Sequence, residues 1–494
     1  MTSLMAEAPL DGLTREQLIA AGTPLPRLYI EAAPGSGKTT VSAYRFGLQR
    51  FARANDPRAV VAVSFTRSAT AELRARVRAA WGRSAINPPH RIVTLDTVVY
   101  DLLAHLLRTN TLRWPGGHTE LEVLDTWKAH YPTLYTAREP RVELEGRRIL
   151  TTYSYRQVKS NYPTQSDFDT AVHEGRCTHD NVRAILEQAL EEGEIIDCLI
   201  DYFATTTRSL IVDEIFDANS LDLAVVEIAS QAGLNVTVVG DPWQALYGFR
   251  GARPDLVPTL IDRANMTTRQ LTTSFRWRTP EQEQLATALR RSESTTVPSS
   301  TLDGVDVVLA REWKPLWNTH PRVLPLAFRS ASGNTQEAAS TLLLNQLTHS
   351  AFGEHATYAA DAAATLRLDD DARARLEPRL DAILAQLADS DDLPTVLANL
   401  TAAIATESPV RIPSRHRHHI ERLQQLRARL LHPFEDLVLG LTTHQAKGRE
   451  WDTVAVRLED SDRRALLRGL NRESEDHRKL YVALTRARRQ SLAV

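Results

Sequence analysis

Apolar and polar positions follow two rhythms along this chain. Short apolar runs at Leu28–Ala33, Ala59–Ser64 and Arg91–Thr94 are each followed by a stretch with helical spacing: Lys38 to about Arg53, Ser68–Trp81 and Asp96–Arg108. Runs of this length suit strands buried on both faces, and the alternation predicts a parallel sheet flanked by helices. From about Thr109 to Thr205 the rhythm breaks into a polar, irregular segment with helix signals only near its end, at His179–Glu192. Buried-strand patterns return at Ser209–Asp213 and Asn235–Gly240, so the intervening residues read as an insertion. A second parallel sheet is expected to start near Arg269, with strands at Val305–Ala310, Val323–Phe328, Asp436–Thr442, Thr453–Arg457 and Ser491–Val494. A helical, alanine-rich stretch from about Ser350 to Leu430 interrupts it. The fold class is therefore α/β, with two cores that each carry a mainly helical insertion.

Length and composition agree with this division. The 494 residues predict about three or four structural units, and a chain of that size buries its cores without disulfide or metal staples. Cys177 and Cys198 are the only cysteines, too few for a four-cysteine zinc or iron–sulfur site or a secreted disulfide framework. No apolar run approaches the roughly 20 residues that span a bilayer. The N-terminus lacks the basic and apolar regions of a signal peptide. The expectation is a soluble, cytoplasmic protein with no membrane partner.

Charge is uninformative as a total and informative in detail. The formal net charge of −2 gives no hint of a polyanionic partner. Only six basic residues are lysines (Lys38, Lys128, Lys159, Lys314, Lys447 and Lys479), and the other 53 are arginines. The second insertion is split, with 11 acidic and four basic residues over 351–410, then six arginines and four histidines against one glutamate over 411–432. The basic half, Arg411–Arg429, could touch duplex phosphates or be a solvated helix surface paired with the acidic half. Its histidines have no ligand set for a metal: His418 and Glu421 are three apart, with no cysteine or second carboxylate nearby.

The sharpest chemistry lies at AAPGSGKTT, Ala32–Thr40, between a predicted strand and a predicted helix. Gly35 and Gly37 let the backbone wrap phosphates at a helix N-terminus, with Ala33, Pro34, Ser36 and Thr40 completing the loop. Lys38 reaches the β- and γ-phosphates of ATP, and Thr39 coordinates Mg²⁺. Such a loop needs an acidic partner at the end of another buried strand. SLIVDE, residues 209–214, supplies it: Asp213 would hold Mg²⁺ and Glu214 would orient the attacking water.

The remaining motifs, in their order, resemble the UvrD/Rep-like helicases of superfamily 1. LTREQ (Leu13–Gln17) looks like the adenine-reading segment, with Gln17 at the base-reading position. SFTRSATAELRARV (Ser64–Val77) resembles motif Ia, placing Phe65 and Thr66 at single-stranded DNA, and TLDTVVYDLL (Thr94–Leu103) stands where motif Ib belongs. VVGDPWQALYGFRGA (Val238–Ala252) is similar to motif III, which implies that Gln244 senses the γ-phosphate while Tyr247 and Phe249 stack on bases beside Arg250. LTTSFRWRTP (Leu271–Pro280) looks like motif IV and puts Arg276 at the γ-phosphate. LTTHQAKGREWD (Leu441–Asp452) resembles motif V, with His444 and Lys447 near DNA and Glu450 near the ribose. YVALTRARR (Tyr481–Arg489) matches motif VI and makes Arg486 an arginine finger.

The resemblance implies two tandem RecA-like P-loop NTPase cores, the first at 1–108 and 206–265 and the second at 266–349 and 433–494. The insertions are 109–205 and 350–432. It further implies an ATP- and Mg²⁺-dependent helicase moving 3′→5′ on single-stranded DNA, with junctions as substrates and a nucleoid-associated location. A protein loading partner or a separate nuclease subunit, and a monomer or DNA-induced dimer, fit that reading. With motif VI so near the last residue, no fused nuclease is expected in this chain. One departure stands out: the family's motif II reads DExQD, and here it is DEIFD, with Phe216 in the glutamine's place. That glutamine is thought to link the phosphate site to the DNA-binding parts, and phenylalanine cannot make its hydrogen bonds. Two alternatives remain: a single-strand-stimulated ATPase that strips bound proteins with little unwinding, and a nucleotide-gated module that binds a protein partner.

Overall fold

Six parallel strands form the sheet of the first unit in the computed structural model, which describes residues 12–53, 55–127, 139–154, 164–331, 334–413 and 417–494. The chain divides between Phe275 and Arg276 into two units. In the first, α1 (Arg15–Gly22) precedes β1 (Arg27–Ala32), α2 (Lys38–Phe51), β2 (Ala59–Ser64), α3 (Arg67–Trp81), β3 (Arg91–Thr94) and α4 (Leu95–Arg108). The inserted segment adds β4 (Glu122–Leu124), β5 (Glu139–Glu145), β6 (Arg148–Ser154) and β7 (Arg176–Thr178). The chain then returns through β8 (Thr207–Val212), β9 (Asn235–Gly240) and β10 (Thr267–Leu271). The sheet order is β10-β1-β9-β8-β2-β3.

Every residue of β2 and β8 is buried; β2 and the Leu210–Val212 end of β8 read as apolar runs, while β8 opens on the buried polar residues Thr207, Arg208 and Ser209. Alternate side chains feed opposite layers. Val60 and Ala62 meet Phe46 of α2 and Leu73 and Val77 of α3, while Val61 and Val63 share a core with Val99, Leu102 and Leu103 of α4. Gly47 lets α2 and α3 approach closely: a Cβ there would lie 2.0 Å from the Trp81 ring.

The insertion is less irregular than its polar sequence implied. β5 and β6 pair antiparallel across Gly146 and Arg147, and β4 pairs with β7. The helices Gln165–His173, His179–Ala189 and Gly193–Thr206 accompany them. Trp114, Phe168, Ile185 and Leu199 belong to the same buried cluster as α4 and the sheet, so the insertion shares the first core.

The second unit holds a five-stranded parallel sheet ordered β12-β13-β11-β14-β15, from β11 (Val307–Ala310), β12 (Val323–Pro325), β13 (Val438–Thr442), β14 (Trp451–Val456) and β15 (Ala487–Ala493). Its helical segment contains Thr335–Phe352, Ala359–Thr365, Asp370–Asp389, Leu393–Ala405 and Arg417–Leu430, packed round a leucine- and alanine-rich core.

Two expected boundaries move. Thr267–Leu271 pairs with β1 in the first sheet and does not begin the second. Its polar residues are exposed on an edge strand, so composition could not assign it to either sheet. The helical segment of the second unit begins at Thr335, because Leu343, Leu344 and Leu347 pack into the same core as the later helices. Among the described residues, no helix is long and apolar enough to cross a membrane.

Candidate nucleotide site and nucleic-acid contacts

The loop between β1 and α2 is shaped by two glycines in the left-handed region, Gly35 (φ 73°) and Gly37 (φ 81°). A Cβ on Gly37 would come within 2.5 Å of Gln17 Nε2, so both backbone angle and space demand glycine there. Gln17 is buried. Its Nε2 donates to Ser36 O at 2.9 Å, and its Oε1 accepts from Thr14 N at 2.9 Å in the capping box of α1. The residue expected to read the base thus also braces the phosphate loop. A second brace comes from the segment after β10. Ala33 N donates to Leu271 O, Ser274 Oγ to Pro34 O and Phe275 N to Gly35 O, at 3.0, 2.8 and 3.0 Å. Glu16 of α1 accepts from Thr272 N and Thr272 Oγ1 at 2.8 and 2.6 Å, and these bonds hold its carboxyl below the usual range.

At the carboxyl ends of β1, β8 and β9, three of the expected catalytic side chains converge. Lys38 Nζ lies 3.1 Å from Glu214 Oε1 and 3.4 Å from Gln244 Oε1. Asp213 is buried beside them, and its Oδ1 accepts from Glu214 N at 3.1 Å. Burial pushes its carboxyl up, Glu214 adds to the push, and Lys38 opposes it. Glu214 itself sits in the left-handed region (φ 59°, ψ 43°), a conformation that non-glycine residues keep only where surroundings impose it.

Several residues of this site escaped the sequence reading. Asp241 is fully buried; its Oδ2 accepts from Gln244 Nε2 at 2.8 Å and its Oδ1 from Trp243 N at 3.1 Å, which aims Gln244 at Lys38. Arg45 of α2 is fully buried too. It donates to Thr237 Oγ1 at 2.6 Å, to Thr23 O at 2.9 Å and to Leu25 O at 3.1 Å, with Ala20 O and Ala21 O at 3.4 and 3.3 Å. It therefore closes the C-terminal end of α1, the helix that carries Gln17. The available signal was an arginine four residues after Val41 on the apolar face of α2.

The residues present suit a triphosphate and a hard cation. The loop offers positive-φ glycines, a lysine and the buried Ser36 Oγ, which has no hydrogen-bond partner among the described residues. Asp213 and Thr39, in the first turn of α2, offer the oxygen donors that Mg²⁺ prefers. Thr40 Oγ1 instead accepts from Arg76 Nη1 at 2.8 Å.

In the second unit, Glu450 joins two arginines. Arg276 Nε donates to Glu450 Oε2 at 2.9 Å and Arg488 Nη2 to Oε1 at 3.1 Å, while Arg276 Nη1 reaches Thr485 O at 2.8 Å. Burial raises the Glu450 carboxyl, but Arg276 and Arg488 outweigh it and the net shift is downward. Arg486 is buried, with Nε donating to Val482 O at 3.1 Å.

The residues expected at DNA differ in their surroundings. Tyr247 and Phe249 lie 6.0 Å apart with Arg250 over both rings at 5.2 and 5.5 Å, and Phe249 is 64% exposed. This is an aromatic–guanidinium platform open to solvent. Phe65 is half-buried against the main core, and the Thr66 hydroxyl caps α3 by accepting from Ala69 N at 3.1 Å. His444 lies in the short helix Thr443–Ala446, with Lys447 directly after it. Gln445 caps that helix and donates to Thr357 Oγ1 at 2.6 Å. Phe216 is buried, edge-on to Tyr29 at 6.3 Å, and occupies the space that a side chain on Gly240 would need.

Three arginines of the basic stretch serve structure. Arg422 binds Glu337 and covers the Phe328 ring, and Arg427 pairs with Asp391. Arg429 is buried on the carbonyls of Val323 and Trp317. Residues 414–416 and the side chains of Arg417 and His418 lie outside the described residues, as do Lys128 and Lys159.

Residues 13–115 and 147–265 match the UvrD/REP helicase N-terminal domain, and residues 410–493 match the UvrD-like helicase C-terminal domain. Together these matches cover more than half of the chain. The chain belongs to the UvrD/REP helicase family. Similar curated proteins include DNA helicase II of Salmonella typhimurium, 23% identical over 51% of this chain and 36% of that protein. The ATP-dependent DNA helicase PcrA of Staphylococcus epidermidis is 24% identical over 50% of this chain and 35% of its own length. The matched stretch thus spans about a third of each of these relatives.

Proposed function

We propose that this chain is an ATP-dependent DNA helicase that translocates 3′→5′ on single-stranded DNA and unwinds duplex at single-strand/duplex junctions. The reading rests above all on Lys38, Glu214 and Gln244 meeting at the carboxyl ends of β1, β8 and β9, beside Asp213, in a chain of this family. In it, the two sheets are tandem RecA-like cores and the segments 109–206 and 335–432 are their insertions. ATP would be the fuel, and Thr39 and Asp213 would hold Mg²⁺, which would supply positive charge beside the phosphates. Lys38 exchanges Glu214 for phosphate, leaving Glu214 to orient water, while Arg276 and Arg486 supply further positive charge. Phosphoryl transfer depends mainly on such positioning and neutralisation, and an arginine finger typically contributes about 10³–10⁵ in rate.

The Tyr247–Phe249–Arg250 platform supports single-strand stacking, at about 1–3 kcal/mol per base. Opening a duplex step costs on average about 1.4 kcal/mol of stacking. Stacking alone therefore holds a few open bases and stalls, and repeated advance needs ATP turnover to alternate grip and release. A nucleoid-associated location and a loading or nuclease partner belong to the same reading.

A second reading, a single-strand-stimulated ATPase with little unwinding, is favoured by Phe216, which is committed to the core where the family has a hydrogen-bonding glutamine. Strand displacement on a 3′-tailed duplex separates the two: ATPase stimulation without displacement selects the second. Hydrolysis indifferent to single strands overturns both and leaves a nucleotide-gated module. Lys38→Ala is expected to cut hydrolysis at least about 100-fold, and an unchanged rate would remove the nucleotide site.

A further inference from the structure

Away from the nucleotide site, the insertion of the first unit carries a cavity of about 500 Å³ where the end of α4 meets β6. Arg108, Asn110, Arg113, His118 and Arg148 line it, with Leu150 at its wall. Arg113 and Arg148 are direct partners in an isolated parallel bridge, held by Arg113 N to Arg147 O and Ile149 N to Arg113 O, both at 2.9 Å. Like charges set directly opposite each other repel. The protein does not cancel that repulsion: among the described residues, Arg108, Arg113 and Arg148 form no ion pair. Arg113 Nε donates to Asn110 Oδ1 at 3.0 Å and Arg108 Nε to Ala104 O at 3.2 Å, both neutral acceptors. The neighbouring Arg147 shows the contrast, bound by Glu192 and Glu194 at 3.2 and 2.8 Å. Glu145 stands opposite Arg148 in the hairpin register without pairing to it.

The site is also built. His118 is seated between two positive-φ glycines, Gly116 and Gly175, where an added Cβ would lie 2.9 and 3.0 Å from its ring, and its Nε2 meets His173 O at 2.9 Å. Leu112 and Ile149, both buried, form an apolar floor that strengthens any charge contact above it. Three uncompensated guanidiniums around one cavity match phosphate oxygens in charge and in fork geometry.

We propose that this cavity binds phosphate groups, as a nucleic-acid contact separate from the Tyr247–Phe249 platform. The ligand chemistry is phosphate. Its source is the backbone of a DNA strand, which rests on the DNA-motor reading above, or a free polyphosphate.

The test uses the full chain and the double variant Arg113→Gln/Arg148→Gln, with Arg113→Lys/Arg148→Lys as the charge-preserving control. Fluorescence anisotropy of a labelled single strand and a 3′-tailed duplex is followed across salt, and tripolyphosphate binding is measured by calorimetry. For a strand, two lost contacts make the slope of log K against log salt shallower by about 1.4 on single strands or about 1.8 on duplex. Affinity falls about tenfold or more at low salt, the lysine control recovers most of it, and DNA-free ATP hydrolysis is unchanged. An unaltered slope with one tripolyphosphate site lost assigns the cavity to a free polyphosphate. DNA binding and tripolyphosphate stoichiometry both equal to the parent's overturn the proposal. If the parent itself binds no DNA, the motor reading fails, and the tripolyphosphate arm alone decides the cavity.

Discussion

Phe216 shows how one side chain can be both a departure from a family pattern and a structural necessity. Its ring packs on Tyr29 and against Gly240, so restoring glutamine does more than restore a hydrogen-bonding group. Phe216→Gln removes buried apolar surface and places an amide in a cluster built of Ile215, Val212 and Val238. The expected cost is about 2–4 kcal/mol, from lost packing plus an unsatisfied polar group, and Phe216→Leu should lose less, about 1–2 kcal/mol. Denaturant midpoints of the two variants check this ranking. Equal stability of Phe216→Gln and the parent would mean that the ring is not the core element described. DNA-stimulated hydrolysis of Phe216→Gln is interpretable only beside that measurement, because partial unfolding lowers the rate whatever the coupling does.

At the scale of elements, α1 and α2 act as one body because Arg45 ties the end of one to the middle of the other. Arg45→Met leaves several buried carbonyls without a donor, and the expected loss is about 2–4 kcal/mol. Since α1 positions Gln17 against Ser36 O, the ATP KM should rise several-fold while kcat moves less; a fall in kcat alone would contradict this bracing role. β2 has a comparable anchor. Val60 N donates to His90 Nδ1 at 3.0 Å, and burial, aided by Arg50 and Arg208, pushes the imidazole down to about 4. The unfolded chain binds this proton near pH 6.5 and the folded chain only near 4. The stabilisation is thus complete above pH 6.5 and is lost as pH falls from 6.5 towards 4. Acid unfolding should cost on the order of 2 kcal/mol by pH 4.5 from this group, and His90→Gln should flatten that part of the profile. These anchors also explain what the sequence made legible. β1, β2, β8 and β9 were readable because their buried residues form short apolar runs, and the loop at Gly35–Thr39 because phosphate chemistry demands particular residues at fixed spacing. β10 and the β5–β6 hairpin were not readable, since their exposed polar residues resemble loop. Arg45 and the packing of Phe216 were hidden because their partners lie far away in the chain, and Asp241 because its role depends on how the short turn to Gln244 folds.

For the whole molecule, the net charge of −2 is compatible with a polyanionic track because cations are concentrated at particular places while others are spent inside the fold. Arg422, Arg427 and Arg429 hold the second unit together and leave the exposed Tyr247–Phe249–Arg250 platform as the clearest candidate for single-strand contact. The proposed motor requires more than a site in one unit, because its catalytic residues come from both. Arg276 provides the cleanest test of that requirement. It is anchored by Glu450 and Thr485, and its loss leaves Glu450 still paired with Arg488, so the second unit should stay folded. Arg276→Ala is therefore expected to lower kcat about 10³-fold or more, with the affinity for a fluorescent ATP analogue within a few-fold of the parent's. Arg486→Ala is a poorer probe, because Arg486 is buried on Val482 O and its removal also loosens the core. If Arg276→Ala hydrolyses ATP at the parental rate with single-stranded DNA present, the second unit contributes no charge to the reaction. Hydrolysis would then not depend on both units, and the alternation that drives translocation would have no structural basis in this residue.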